Sequence, residues 1–462
     1  MRGSIPVVLL ASTALLLSLV PACSGSLVRQ SERSLQHRAA ELELRPATDV
    51  APTFDGTLAG YLAFALQHSP VARAAFERWR SRTLRIAKAQ KWPEPNLTFG
   101  YFVRSVETRV GPQRFRIGLS QDIPWPSQRA ARAHAVAARA RADESAFQSE
   151  LVTIRHRVAR HYWHLWMLRA QHRLKREHDA VLESLAEAVR GRIRTGAATL
   201  AELSQVELDI TRHHDHRDRH VLAARQASAL LGAAIGIDGP GQTLAASDTP
   251  AIGLPGESDE VLRAAARAHP DNQRYTHLAA SARHRASAER TERYPRIRLG
   301  LDYIVTGAAA TETPDSGKDP LVVMAAVSLP LWAGVYRDAE RSAHAAAAAH
   351  EAEREAAILA ASASAEVALA EVRDTLRRVQ LFRTTLLPQG RATFQSVLGD
   401  YQSGRSSVSA VILAQRDLLE LQLEHVAALA AHAIAWAQLE AVVGRPIAER
   451  ETVPEVVRGT KP

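Results

Sequence analysis

Glycines and prolines recur at fixed distances along the 462-residue chain, and this periodicity constrains the fold more than any single motif. Five such residues are matched by the same residue type further on, the first three after 200 positions and the last two after 208: Pro70, Pro95, Gly100, Gly196 and Gly236. A constant offset between residues that turn or break the backbone is typical of a duplicated unit. We therefore predict two copies of one structural plan, over 54–252 and 253–449.

The first residues indicate export. An apolar run follows Arg2 and ends at small residues, a pattern typical of a secretory signal peptide and too short to span a membrane. We predict a signal peptide over 1–22. The next residue, Cys23, is the only cysteine, and its position resembles that of the lipid-carrying cysteine in bacterial lipoproteins. Ordinary cleavage that leaves a free thiol is the alternative. The polar segment 23–53 is predicted to be a lipidated tether.

Composition and motifs disfavour two classes of protein. A net charge of +9 suggests nucleic-acid binding, but the arginines are scattered at helical spacing instead of forming one basic patch. The sequence also lacks a nucleophile elbow, a phosphate-binding glycine-rich loop, a zinc-protease motif and a cysteine pair. We therefore expect no enzyme, no cofactor and no nucleic-acid partner.

Long segments without glycine or proline dominate each copy. Residues 127–190 would form a helix about 95 Å long at the usual rise of about 1.5 Å per residue. A glycine-containing turn follows, and 200–231 continues as a second helix. The second copy repeats this plan in 335–387, which Pro388 is expected to kink, and in 408–443. Long antiparallel helix pairs are thus the predicted core of the fold.

Four shorter segments alternate between apolar and polar residues: 96–104, 114–123, 296–305 and 321–329. In the first, Leu97, Phe99 and Tyr101 share one face. Alternation over about ten residues suits a transmembrane β-strand with lipid on one face and water on the other. A half-buried soluble sheet is the alternative. Four arginines fall on the polar face, which would be the lumen of a barrel and favour anions: Arg114, Arg116, Arg296 and Arg298.

Four strands cannot close a barrel around water, and open sheet edges do not persist in lipid. A membrane location therefore requires that several copies of the chain assemble. The number of copies does not follow from the residues.

The ordered, duplicated motifs resemble the outer-membrane efflux protein (TolC-like) family over about 54–449. The resemblance rests on 91–97 (KWPEPNL), on 119–126 (LSQDIPWP), on 327–332 (VSLPLW) and on the turns at Gly196 and Gly404. It implies a mainly α fold with a transmembrane β-barrel: a homotrimer in outer-membrane lipid, with a 12-stranded barrel and a periplasmic helical tunnel. The implied partners are a periplasmic adaptor protein and an inner-membrane pump of the resistance-nodulation-division type.

The same resemblance assigns roles to the two helical tips. Residues expected to dock the adaptor, or simply to pack, are Gly196, Leu200, Leu203, Gly404, Val408 and Val411. The family often narrows its tunnel with carboxylates after the second tip, where this chain has Ala410 and Leu413. The matching positions of the first copy are Glu202 and Gln205, so Glu202 is the candidate polar ring and Leu413 the candidate apolar neck. Glu202 as an ordinary helix-start residue is the alternative.

Histidines at helical spacing suggest a metal site. His213, His216 and His220 fall on one face of a predicted helix, at steps that can bind Zn²⁺ or Cu²⁺. Arg212, Arg217 and Arg219 lie among them and would repel a cation, so a solvated polar face is the favoured interpretation.

These features predict a passive exit duct in the outer membrane, with heavy-metal cations as the favoured cargo. Multidrug efflux and polypeptide secretion are alternatives within that class. A non-conducting periplasmic scaffold anchored at Cys23 is the alternative outside it. Residues 450–462 are predicted to be a C-terminal tail.

Overall fold

The computed structural model describes residues 26–42, 54–237, 244–311 and 314–450. The predicted signal peptide and Cys23 lie outside these residues, as does nearly all of the predicted C-terminal tail. The domain boundaries proposed from the repeat therefore remain predictions.

The described chain is mainly helical, as predicted. The helices are α1 (Ser26–Leu42), α2 (Leu58–His68), α3 (Pro70–Gln90), α4 (Pro126–Arg194), α5 (Leu200–Ile235), α6 (Asp259–Arg267), α7 (Pro270–Glu292), α8 (Ala333–Leu381), α9 (Leu387–Gln402) and α10 (Val408–Val443). The strands are β1 (Asn96–Tyr101), β2 (Gln113–Ile123), β3 (Leu254–Pro255), β4 (Arg296–Thr306), β5 (Leu321–Ser328) and β6 (Glu449–Arg450). The four long strands begin and end within three residues of the predicted alternating segments.

The duplication is visible in equivalent backbone contacts. Pro70 and Pro270 begin α3 and α7, where a missing N–H is tolerated. Gly236 and Gly444 end α5 and α10 at φ values of 88° and 82°, which glycine adopts without strain. A Cβ added to Gly236 would lie 3.0 Å from Cδ of Pro70, and one added to Gly444 would lie 3.2 Å from Cδ of Pro270. Each repeat thus closes with the same glycine–proline contact.

Residues form two compact units, of which the first contains Glu77–Glu144 and Arg274–Glu353. Its centre is an antiparallel sheet with strand order β1-β2-β4-β5. Strands β2 and β4 come from different repeats and pair over most of their length, so the sheet joins the two copies. Strands β1 and β5 are its outer strands.

The second unit contains the described residues of Ser145–Gln273 and of the segment that begins at Arg354. One core cluster packs α2, α4, α5 and α10 around residues such as Tyr61, Tyr162 and Leu231. A second cluster packs α6 and α8 against α10. Full burial of each large side chain stabilises the fold by roughly 1.5–3 kcal/mol, so these seams hold the helices together.

A π-helical turn over Phe382–Leu386 precedes Pro388, the position where a kink is predicted. Within it the N–H of Leu387 donates to the carbonyl of Phe382, five residues back. Proline lacks an N–H, and its ring would clash with the carbonyl four residues before it. The wider turn lets the chain continue from α8 into α9 with Pro388 near the helix start.

Helix α1 occupies most of the segment that was expected to be a polar tether. Val28 is buried against Ile86, Ala137 and Ala140, and Ser34 Oγ donates to Glu144 Oε1 at 2.9 Å. These contacts lie within the first unit. The described part of the segment is therefore a helix packed on α3 and α4, where a polar tether was expected.

Among the described helices, α10 alone is long and apolar enough to cross a membrane by length and composition. Its apolar side chains instead enter the helical core, where Val426, Ala430 and Ala433 are buried. The long apolar sequence of α10 therefore reflects the packing of this helix against neighbours on both of its sides.

Candidate functional site: the sheet and the hairpin tips

One face of the sheet carries an exposed apolar surface. The register aligns Leu97 with Leu119, Leu119 with Leu301, and Leu301 with Val323 across all four strands. Their exposed fractions are 75%, 49%, 42% and 79% in that order. The neighbouring row runs from Phe99 on β1 to Leu321 on β5. Its aromatic and leucine side chains are exposed as well. A contiguous apolar surface of this extent marks contact with a membrane or a partner.

The opposite face carries ion pairs, one of which contains a buried carboxylate. Asp302 is only 4% exposed, and Arg116 Nη2 donates to its Oδ2 at 2.5 Å. Gly118 leaves the room that this carboxylate occupies, because a Cβ there would lie 2.1 Å from Asp302 Oδ1. A second pair joins Arg298 to Asp122 at 2.6 and 3.1 Å. On β2 and β4, charge lies on one face of the sheet and exposed hydrocarbon on the other.

The four arginines predicted to line a lumen have different surroundings. Arg116 and Arg298 form these pairs on the polar face. Arg296 donates to Glu292 at 2.9 Å, on the last turn of α7. Arg114 runs alongside Gly307, whose added Cβ would lie 2.9 Å from its Nε. Carboxylates therefore offset the positive charge of three of the four, which weakens the argument for anion preference.

Two glycine turns form the tips of the helical hairpins. Gly196 and Gly404 have φ values of 70° and 76°, and a Cβ at either would meet no atom within 4 Å. The tips contact each other through Arg192, which donates to the Tyr401 carbonyl at 3.0 Å and stacks on its ring. Both turns thus belong to one packed end of the second unit.

The predicted docking residues divide into two groups. Val408 and Val411 are buried at 0% and 1% exposure in a cluster that also contains Val189 and Val206. They pack the tip and present little surface to a partner. Leu203 is half-buried against the same cluster, whereas Leu200 is 71% exposed. Of the four side chains, Leu200 is the one available for docking.

The structure also shows different surroundings for the candidate aperture residues. Glu202 forms a capping box with Thr199, whose N–H donates to Glu202 Oε2 at 2.7 Å. Its helix-start role is therefore observed, as the alternative anticipated. Gln205 accepts from Ser409 Oγ at 2.9 Å, and Ala410 is half-buried.

Leu413 is 59% exposed, and it begins a stripe that sequence reasoning missed. Asp417, Glu420 and Glu424 follow it by four, seven and eleven residues and are exposed. These steps place them on one face of α10. The spacing of these residues can be read from the sequence. The exposed stripe is distinguished from the apolar remainder of α10 only by the burial of the other side chains in the structure.

An ion pair between the two hairpins was also missed. Asp209 on α5 is 2% exposed, and both Nε and Nη2 of Arg416 on α10 donate to its carboxylate, the first at 3.2 Å. Removing one partner of a buried pair leaves an uncompensated charge, which is strongly destabilising. This pair is a charged connection between the two hairpins near the tips.

Two of the histidines on α5, His213 and His220, lie in a polar layer against α4, whereas His216 is solvated. His213 is half-buried, with Nδ1 at 3.7 Å from the buried Asp179, which also accepts from Arg217 at 3.1 Å. His220 is half-buried and His216 is exposed. Within the described residues no three histidine, cysteine or acidic side chains are grouped so that they could hold a metal ion.

This layer predicts a pH response. Burial lowers the pKa of His213 and of His178, although Asp179 opposes the shift at both. Burial also lowers the pKa of His172 and His220, and Lys175 adds a nearby positive charge. The folded state binds fewer protons than the unfolded state, so stability is present above the ordinary histidine pKa near 6.5 and is lost as the pH falls below it.

We therefore expect amide hydrogen exchange in the middle of α5 to accelerate between pH 7.5 and 5, beyond the intrinsic rate change. The variant His213→Gln/His220→Gln should show a smaller acceleration. An exposed control, His216→Gln, should behave like the unmodified chain. Equal acceleration in the double variant would show that these two histidines do not set the response.

Comparison with known proteins supports the resemblance found in the motifs. Residues 261–445 match the family model of outer membrane efflux proteins. No curated protein sequence matches the chain significantly.

Solved structures share the fold over most of the chain. The outer membrane protein VceC from Vibrio cholerae is 19% identical, with a TM-score of 0.68 over 84% of this chain and 96% of VceC. A membrane protein from Pseudomonas aeruginosa is 18% identical, with a TM-score of 0.70 over 86% and 98% of the two chains. The MtrE outer membrane channel from Neisseria gonorrhoeae is 17% identical, with a TM-score of 0.64 over 87% and 96%. At such low sequence identities, this similarity shows a shared fold and nothing further.

Proposed function

We propose that this chain, whose resemblance to the outer membrane efflux protein family is now confirmed, is the outer-membrane exit duct of a tripartite efflux pump. One observation carries the proposal: the sheet exposes its apolar face, and the charges on the other face of β2 and β4 are joined in ion pairs. A soluble sheet buries the apolar face, whereas a strand of a membrane barrel turns that face to lipid. The duct conducts passively, and a partner supplies the energy.

The working unit proposed is a homotrimer. The sheet has two outer strands, β1 and β5, and unpaired strand edges are not tolerated in lipid. Pairing of β5 with β1 of the next copy removes both edges, and three copies of four strands make a twelve-stranded barrel. The helices would then continue the pore as a periplasmic tunnel.

We retain export and lipid anchoring as part of the proposal. Cleavage after Ala22 and acylation of Cys23 would fix the chain to the outer membrane a few residues before α1 begins. Mass spectrometry of the mature N-terminus distinguishes an acylated cysteine from a free thiol.

The tips are the proposed contact with the periplasmic adaptor, which an inner-membrane pump of the resistance-nodulation-division type would drive. Leu200 and the turns at Gly196 and Gly404 provide the exposed surface. Leu413 is the proposed apolar neck, because an exposed leucine repeated in three copies can close a narrow opening by excluding water. Asp417 and Glu420 replace Glu202 as the proposed charged ring beside it.

Heavy-metal cations are the proposed cargo, with organic toxicants as the alternative. Growth of a strain lacking the gene, in graded zinc, copper, cobalt and silver and in dyes and antibiotics, tests this choice. Metal sensitivity that the intact gene reverses supports metal efflux. Sensitivity to organic compounds alone assigns a multidrug duct.

Ion selectivity gives a further prediction. Ion pairs offset most of the arginine charge on the sheet, whereas Asp417, Glu420 and Glu424 are exposed and have no ion pair within the described residues. We expect the reversal potential in a salt gradient to report cation preference. The triple variant Asp417→Asn/Glu420→Gln/Glu424→Gln should move it toward zero, while Glu260→Gln, an exposed carboxylate on α6, should not. Anion preference in the unmodified channel would contradict this prediction and would support a lumen whose selectivity is set by the arginines.

A further inference from the structure

A cavity of about 580 Å³ lies within the second unit, beside α2, α4 and the end of α10. None of its lining residues belongs to the tips or to the four long strands. The apolar part of its lining includes two indoles and four aliphatic side chains: Trp163, Trp436, Leu58, Leu62, Leu151 and Val152. Cavities of this size with apolar walls and few polar groups are typical of small-molecule sites.

Two of its charged groups already have partners. Glu440 accepts from the backbone N–H of Ile447 at 3.0 Å. Arg445 donates to both carboxylate oxygens of Glu257, at 2.8 and 2.5 Å. Burial raises the pKa of Glu440, so the cavity favours the uncharged form of this acid. With these bonds formed, neither Glu440 nor Arg445 is left as an unpartnered charged group of the cavity.

Two other groups are left without such partners. Arg155 is exposed and lines the cavity, and its charge acts on the Glu440 carboxylate by lowering its pKa. No hydrogen bond or ion pair ≤ 4 Å joins Arg155 to another described residue. Nδ1 of His156, on the next residue, is buried and has no hydrogen-bond partner in this part of the chain. Buried polar atoms are usually satisfied, so such an atom needs an explanation. The guanidinium of arginine matches a carboxylate through two parallel N–H donors.

We propose that this cavity binds a small amphipathic carboxylate, with its apolar body between the indoles and leucines and its charged group on Arg155. Among the described charged groups that line the cavity, Arg155 is the one without a hydrogen-bonded partner, so an anion fits the cavity better than a cation. The indole faces favour an aromatic or long aliphatic body. This inference goes beyond conduction through the duct and does not depend on it.

The test uses the full chain, purified in its assembled form in an amphipathic polymer that leaves no free detergent. The probe is 2-naphthylacetate, titrated by calorimetry beside its neutral alcohol and its ammonium analogue. We expect saturable binding of about one carboxylate per chain. The alcohol and the amine should bind at least about tenfold more weakly, since a charge-assisted hydrogen bond is lost.

Two variants locate the site. Arg155→Gln should weaken binding by about tenfold or more. Val152→Trp should abolish it by filling the cavity, and Leu62→Phe serves the same purpose if the larger substitution prevents assembly. Arg157→Gln, an exposed arginine on α4 that does not line the cavity, is the matched control and should bind normally. Absence of saturable binding, tighter binding of the amine, or binding unaffected by the filling variants would overturn the proposal.

Discussion

The variant Val323→Arg is expected to fail to assemble in the outer membrane. Val323 is 79% exposed on the apolar face and pairs with Leu301 at the middle of β4. An arginine facing lipid near the bilayer centre costs roughly 2–4 kcal/mol per chain, and an assembly of several chains multiplies that cost. In water the same exposed substitution changes stability by less than about 0.5 kcal/mol.

The adjacent residue supplies the control. Met324 lies on the same strand, and its side chain is on the opposite face, where its Cε would lie 3.6 Å from a Cβ added to Gly300. Met324→Arg should therefore assemble. Heat-modifiable oligomer bands and the amount of each variant in outer-membrane fractions measure the difference. If both variants assemble equally well, the apolar face does not contact lipid.

The second large effect is expected at the ion pair between the hairpins. Arg416→Met keeps the aliphatic part of the side chain but leaves the Asp209 carboxylate buried without its cation. Arg416 is 47% exposed on its side chain, so we place the local destabilisation below the range for fully buried pairs, at about 2 kcal/mol. This corresponds to roughly 30-fold faster amide exchange around Val206 and Asp209.

Two companion variants separate the buried charge from loss of packing. Arg416→Met with Asp209→Asn should recover much of the protection, because the orphaned charge is removed. Arg405→Gln breaks an exposed pair with Asp400 and should change exchange by less than a few fold. Equal effects of Arg416→Met and Arg405→Gln would show that the inter-hairpin pair does not hold the tips.

Much of the fold is predictable because it depends on local chemistry. Proline starts helices, glycine ends them, and long segments without either form helices α4, α5, α8 and α10. Alternation of apolar and polar residues located the four long strands to within a few residues. The repeated offsets of these residues then predicted the order of elements in each copy.

Contacts between distant residues were not predictable in the same way. Asp209 and Arg416 are 207 residues apart, and Asp302 meets Arg116 across 186 residues. No local pattern distinguishes these partners from the many other charged residues in the chain. The burial of Val408 was not predictable for the same reason, since it depends on the first hairpin packing against the second.

Single-channel recording in a planar lipid bilayer is the most direct test of the proposed duct. The purified assembled chain should give discrete conductance steps, and Arg416→Met should raise the open probability by loosening the tips. Assembled protein that gives no steps, either unmodified or as Arg416→Met, would contradict a conducting role. That result would favour the lipid-anchored periplasmic scaffold.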